Sequence, residues 1–534
     1  MHLIPVAIAT LLTTASAIRI IKPAAGDTVH CNQPWQVCWT AVDTDPPQFC
    51  LYLTNFREFP PQIVDLLSRT PITTDGGGCV TIPPPSCPSP LRTTSPRCSQ
   101  KTHSGLFARL NSTKLQARVE YNWIKGVETL EEYQPGGYHP VMIGDMLHNR
   151  YRIVDKLGHG GYSTVWLARD TALKRYVALK VNTADAHPRE AMVLRALSKP
   201  SSSPPAHGRS LIPVVFDEFE IQGPNGTHAC YTTAPAQCNL REISFSRLFP
   251  LDVARALCYG LTQAVAYTHS HEYVHGDIHL NNIMIKLPSN FDNLSIKELY
   301  QKYGEPETVP ITRCDGKPLT PNIPTQTVIP LFLGKYAETM TLADVRPLLS
   351  DFGEAFAPTS EVRLGQDCHT PPAFRAPEAR FEPQKPLTYS SDIWSLATAI
   401  WEIMGMKAIF SIEIVPDDEI VAQHIDVLGP LPREWWLCWE GRSKFFTEDG
   451  HPTDAYLENK WPPLEESFDV DIQKWRRKWR GVVEEDERAA FLDLIRRMLL
   501  FRPEARPTAE NVLQSEWMVK WALPDYERSS NISG

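Results

Sequence analysis

The period of the hydrophobic positions changes along the chain, and each change marks a different kind of element. In residues 18–118, short alternating runs such as Trp35-Gln36-Val37-Cys38-Trp39 and Phe49-Cys50-Leu51-Tyr52-Leu53 are separated by turn-rich patches, DTDPP, TDGGG and PPPSCPSP. Period-two alternation buries one face of a strand, and short strands at this spacing predict a small antiparallel β-sandwich. Residues 119–148 carry Gly-Gly and Pro punctuation and read as a linker and extension leading into a new domain. From Asn149 two strand-like runs, Tyr151 to Leu157 and Thr164 to Ala168, flank a glycine cluster. A third, Val177-Ala178-Leu179-Lys180, ends on a lysine, and 188–197 and 254–269 take helical spacing.

Composition narrows the class. A chain of 534 residues suggests about three folding units, and 42% hydrophobic residues exclude wholesale disorder. The net charge of −9 argues against direct nucleic-acid binding but suits a basic protein substrate. After residue 20 no apolar run approaches the roughly 18 residues needed to span a bilayer, so no transmembrane segment is expected. Oligomeric state stays open. Residues 1–17, closed by Ala15-Ser16-Ala17, read as a secretory signal, with a buried first element as the alternative. Cys31, Cys38, Cys50, Cys79, Cys87 and Cys98 crowd one segment and fit a disulfide framework of open connectivity. The other six cysteines, from Cys230 to Cys438, read as ordinary buried thiols. Glycosylation sequons at Asn111, Asn225, Asn293 and Asn531 matter only in a secreted chain.

The candidate chemistry begins at Gly158-His159-Gly160-Gly161-Tyr162-Ser163-Thr164-Val165. Glycines between two strands let backbone N–H groups approach phosphate oxygens. A dinucleotide-binding reading needs a helix directly afterwards, and Val165-Trp166-Leu167 reads as strand. Lys180 ends an apolar strand and suits the α- and β-phosphates, with Glu190 on the next helix as its carboxylate partner. In His275-Gly276-Asp277-Ile278-His279-Leu280-Asn281-Asn282, an aspartate five residues before an asparagine can serve two tasks. Asp277 would accept or orient a hydroxyl proton, and Asn282 would hold magnesium. Asp351-Phe352-Gly353 adds a carboxylate on a turn, suited to bridging magnesium to phosphates.

Glycine hairpin, VALK, HxDxxxxN, DFG, Ala376-Pro377-Glu378 and Asp392-Ile393-Trp394-Ser395 follow one another in the order of the protein-kinase signature set. This part of the chain resembles a eukaryotic protein kinase. The stretches GGYHPVMIGDMLHNRYRIVDKLGHGGYSTVWLARD and DFGEAF are similar to fungal kinases related to the serine/arginine-protein kinases, over about residues 122–522. The arrangement IKPAAGDTV, WQVCW, PPQFCLYLTNF resembles the amino-terminal module of fungal cell-wall β-glucan synthesis proteins, an immunoglobulin-like domain. The resemblances imply a multidomain chain, a small β-sandwich followed by a two-lobed α+β kinase fold. The boundaries would be 1–17 signal, 18–118 sandwich, 119–148 extension, 149–236 small lobe, 237–522 large lobe with an insert at 286–348, and 523–534 tail. They imply ATP and Mg2+ as cofactors and serine or threonine in arginine/serine-rich proteins as substrate. Carried over by position, Leu157, Gly158, Gly160, Ser163, Val165, Ala178, Lys180 and Glu190 would contact ATP. Asp277, Lys180 and His279 would be catalytic, Asn282 and Asp351 would bind metal, and Glu378 would pair with Arg506.

Three departures stand out. Gly276 replaces the arginine that usually pairs with an activation-segment phosphate, so activity is expected without that phosphorylation. His279 replaces a lysine that steadies the γ-phosphate, which weakens charge stabilisation there. The insert exceeds what a hairpin needs and reads equally as a regulatory segment or a spacer. In Trp475-Arg476-Arg477-Lys478-Trp479-Arg480 the tryptophans are expected to pin a basic helix to the core. Competing functions are a secreted cell-wall or glucan-associated protein with a non-catalytic kinase-like domain, and a small-molecule phosphotransferase. Location is split: secretion by the leader-like segment, cytosol or nucleus if two coding regions were joined. An intact mass near 60 kDa for the endogenous protein would refute the joining.

Overall fold

A computed structural model describes residues 119–533, apart from 200–207, 245–247, 406, 414 and 480. Ahead of residue 119 it gives only the backbones of short strands between Leu3–Pro5 and Gly77–Ile82. The leader, the sandwich, its disulfide framework and the Asn111 sequon lie outside the described residues. The chain divides into two compact units, Met1–Lys114 and Leu115–Gly534.

The second unit opens with a sheet built from β1 (Met146–Leu147), β2 (Tyr151–Gly160), β3 (Ser163–Asp170), β4 (Arg175–Asn182), β5 (Asp217–Gly223) and β6 (Gly226–Thr233). The strands are antiparallel in the order β1-β2-β3-β4-β6-β5. Helix α1 (Arg189–Leu197) follows β4. Both faces of the sheet are covered, which is why β3 and β4 read as nearly continuous apolar runs. Tyr151, Ile153, Trp166, Ala168, Val177, Leu179 and Val181 pack on one side with Val141 and Val328. Val154, Leu167 and Tyr176 pack on the other with Phe291, Leu299 and Leu333. The stretch 119–148 is therefore no free linker, since Val141 closes one sheet face.

The second lobe is mainly helical. Helix α2 (Leu251–Ser270) and, later in the chain, Tyr389–Met404 are buried over most of their length and share one core. A small sheet of β7 (Ala236–Asn239), β8 (Ile283–Lys286) and a strand at Pro347–Leu349 carries the loops of interest. The insert departs from β8 and returns into that last strand, which pairs directly with β8 through Ile283↔Leu349 and Met284↔Leu348. Closing a long loop across an already paired hairpin adds only about 0.6 kcal/mol per doubling of its length. Within the insert lie α3 (Ile296–Tyr303) and the hairpin β9 (Thr308–Pro310) with β10 (Gln326–Val328). The Pro347–Leu349 strand is then β11, and Tyr389–Met404 is α4. Ser295 caps α3 in a reciprocal box with Glu298.

Some expectations need correction. Cys314 and Cys438 are exposed rather than buried thiols. The buried anchor of the basic 474–479 helix is Arg476, whose guanidinium donates to the carbonyls of Met404 at 2.9 Å and Phe249 at 3.1 Å, while Trp475 is only half-buried. Asn225 is 2% exposed, its amide donating to Tyr138 and Asn322 carbonyls, so the folded chain offers no glycosylation acceptor there. Among the described residues no helix is long and apolar enough to cross a membrane.

Candidate active site

The register of the first sheet lines up the glycine hairpin with the lysine. Gly158 faces Val165, Val165 faces Lys180, and Leu167 faces Ala178 across neighbouring strands, while Gly160 and Ser163 close the turn. A Cβ at Gly158, Gly160 or Gly161 would meet nothing within 4 Å, so the hairpin has open space beside its backbone. Leu157 is partly buried ahead of the turn, and Ser163 is buried.

Lys180 donates to Glu190 of α1 at 2.5 Å and lies 3.8 Å from Asp351. Burial alone would lower the lysine pKa, but the Glu190 and Asp351 carboxylates raise it above its ordinary value. Asp351 is held below the usual carboxylate range, first by the Lys180 charge. Its backbone is left-handed, φ 61, and its side chain is half exposed to the cleft. Glu190 also accepts from the Phe352 amide at 3.2 Å, so one carboxylate ties lysine, helix and DFG turn together.

The other half comes from the loop between α2 and β8. Asn282 donates to the Asp277 carboxylate at 3.0 Å and to its backbone carbonyl at 2.9 Å. The second Asp277 oxygen is buried without a hydrogen bond, 3.3 Å from His279 Nε2. The His279 ring lies against Phe374 at 5.4 Å. Ser350 joins the halves by donating its amide, at 2.9 Å, to the Asn282 carbonyl. Every predicted site residue is thus found in one region formed by the glycine hairpin, β4, α1 and the two loops. Glu378 and Arg506 also meet, as a buried bidentate pair at 2.8 and 2.7 Å.

Several positioning groups escaped the sequence. Asp392, noted only as part of a motif, accepts from the amides of His275 at 2.7 Å and Gly276 at 2.9 Å, and pairs with His269 at 2.9 Å. Burial pushes its carboxyl up, yet the His269 and His275 contacts and the amides bring it below the ordinary value. Thr370 of the activation segment donates to the Gly276 carbonyl at 2.6 Å. The local spacing around His275 carries no signal for these contacts, which reach across some ninety residues or more of chain.

The residues fit a magnesium nucleotide. Asp351 and Asn282 offer hard oxygen donors, and among the described residues no cluster of three or more His, Cys, Asp or Glu could hold a metal alone. Mg2+ suits such a site because it is bound by one or two side chains together with substrate phosphates. The protein kinase domain family matches residues 340–518. The chain carries a protein kinase domain. Its enzyme class is serine/threonine protein kinase, with ATP and Mg2+ as cofactors.

Similarity to curated kinases extends well beyond that match. A serine/threonine protein kinase of Aspergillus fumigatus is 27% identical over 404 residues, covering 73% of this chain and 90% of that protein. The serine/threonine-protein kinase SRPK of Physarum polycephalum is 27% identical over 418 residues, covering 73% and 91%. Human SRSF protein kinase 3 is 34% identical over 165 residues, covering 30% and 29%.

Proposed function

We propose that this kinase transfers the γ-phosphate of ATP to serine in arginine/serine-rich proteins. The observation that carries the catalytic part is the meeting of Lys180, Glu190 and Asp351 beside Asp277 and Asn282. Lys180 binds the α- and β-phosphates, and Glu190 keeps its ammonium in place. Asp277 orients the substrate hydroxyl and takes its proton, with Asn282 holding its carboxylate in place. Asn282 and Asp351 would hold Mg2+, which would neutralise phosphate charge when bound. His279 supports Asp277 from the side and contributes less positive charge than a lysine would.

The substrate part rests on charge and on kinship. The chain carries a net −9, and Glu448, Asp449, Asp454 and Glu458 are exposed on the large lobe. Two of its relatives are named serine/threonine-protein kinase SRPK and SRSF protein kinase 3. A peptide of Arg-Ser repeats should be phosphorylated with at least about tenfold higher kcat/KM than its Arg→Gln counterpart, a difference of ~1.4 kcal/mol. Equal rates would remove the substrate assignment. The Asp277→Asn variant should bind nucleotide but lose at least about a hundredfold in turnover. Undiminished transfer by that variant would remove Asp277 from its role.

A further inference from the structure

The segment before β1 does more than cover the sheet. Residues 126–138 run along β2 toward the glycine hairpin and touch it three times. Glu128 forms a buried ion pair with Lys156. The Gly126 carbonyl lies 3.3 Å from His159 Nε2. Tyr138, 3% exposed, donates its hydroxyl to the Gly160 carbonyl at 2.7 Å. Gly160 is the last residue of β2, so this bond is made at the base of the Gly161-Tyr162 turn, whose residues are exposed.

Tyr138 is itself firmly held. Its ring lies 5.5 Å from Tyr133 and packs with Leu130, Ile311 and Ile323. Its carbonyl accepts from the Asn225 amide at 2.6 Å. Just ahead, the Gly136 and Gly137 carbonyls accept from Asp185 at 2.8 Å and Ala184 at 3.0 Å, immediately beyond β4. Both glycines are required there: Gly136 has φ +91, and a Cβ on Gly137 would sit 1.8 Å from the Glu132 carbonyl oxygen. Burial, with the Glu128 and Glu132 charges, pushes the Tyr138 hydroxyl up to about 12, so it stays a donor over the working pH range.

We propose that Tyr138 is a positioning residue for ATP, which sets the glycine hairpin in its phosphate-facing geometry by holding the carbonyl of Gly160. The proposal rests on the kinase reading, since it assigns a task within nucleotide binding. In this role Tyr138 acts through the Gly160 carbonyl. Gly160 and Gly161 have no side chains with which to fix the turn, and an unheld turn must be ordered each time ATP binds. A contact made in the free enzyme removes that cost in advance.

The test compares two hydroxyl deletions in the full chain. Tyr138→Phe removes the bond to Gly160, and Tyr300→Phe removes a similar bond to the Val154 carbonyl, 2.9 Å, farther back on β2. Tyr138→Phe should raise KM for ATP about fivefold with kcat within about twofold, the size of one lost hydrogen bond. The dissociation constant for adenosine, which has no phosphates, should not move. Tyr300→Phe should change neither constant. An unchanged KM in Tyr138→Phe overturns the proposal. So does an equal rise for adenosine, or an equal effect of Tyr300→Phe, because each would mean general loosening of the lobe. If the wild-type chain neither binds ATP nor transfers phosphate, the kinase reading fails first and separately.

Discussion

Asp155 shows how much a single buried carboxyl can control. It sits on β2 at 1% exposure, with one oxygen accepting from the Lys156 amide at 2.8 Å and the other without a partner. Burial pushes its pKa up to about 6. The unfolded chain ionises this group near pH 4, so between about pH 4 and 6 the native state binds more protons than the unfolded one. Stability therefore falls as pH rises through that window, and the full loss, roughly 3 kcal/mol, is present above pH 6. Relative to wild type, Asp155→Asn should gain that amount on moving from pH 4 to pH 7.5, read from urea unfolding of the kinase unit. A variant that tracks the wild-type pH profile would refute the assignment. Nothing in the alternation of β2 distinguishes Asp155 from an exposed polar residue. The register irregularity between Ile153 and Asp155 turns it inward, and that is a tertiary effect. Lys180, Asp277, Asn282 and Asp351 were legible because their chemistry depends on order along the chain. Asp392 and Thr370 act through contacts that order does not encode.

At the scale of elements, the activation segment packs closely against Gly276. This residue has φ +79, and a Cβ there would lie 3.0 Å from the Glu354 carbonyl oxygen, so any side chain is strained. The segment is held by contacts among its own side chains and with α1. Arg363 and His369 reach the Glu354 carboxylate at 2.8 and 2.9 Å. Arg189, next to Glu190 on α1, donates to the Ala355 carbonyl at 2.6 Å and pairs with Glu361. Half-exposed ion pairs contribute little singly, but Arg189 adds a backbone contact that couples α1 to the segment. Phosphatase-treated wild-type enzyme should keep its turnover, whereas Arg189→Ala should lose about tenfold in kcat, ~1.4 kcal/mol of transition-state stabilisation. Loss of turnover on dephosphorylation would show that a phosphate, and not Arg189, orders the segment. The insert was legible in length but not in placement. Its helix α3 had a signal in the sequence, Ser295 three residues before Glu298, but nothing local announces that Leu299 docks beside Tyr176.

For the molecule as a whole, the decisive feature is that the small lobe is not closed by its own strands. Val141 and Val328 complete one face of its sheet, and the insert completes the other. Tyr121, Leu130, Tyr133 and Tyr138 join Ile311 and Ile323 in a cluster that binds the extension to the insert. A boundary at 149, where the strand pattern begins, cuts through this arrangement. The cut also strips Glu128 from Lys156, whose side chain is fully buried, and removing one partner of a buried pair costs about 3–5 kcal/mol. The unit from Leu115 onward retains every one of these contacts and the whole candidate site. A chain beginning at 115 should therefore fold and keep kcat/KM for ATP within about twofold of the full protein, a change under ~0.5 kcal/mol. One beginning at 149 should lose most of its cooperative unfolding transition, because the lost ion pair and bared sheet face together approach the 5–15 kcal/mol stability of a typical domain. Calorimetry on the two fragments checks this directly. Equal melting of both would show that the extension is an accessory to the kinase fold and not part of its core.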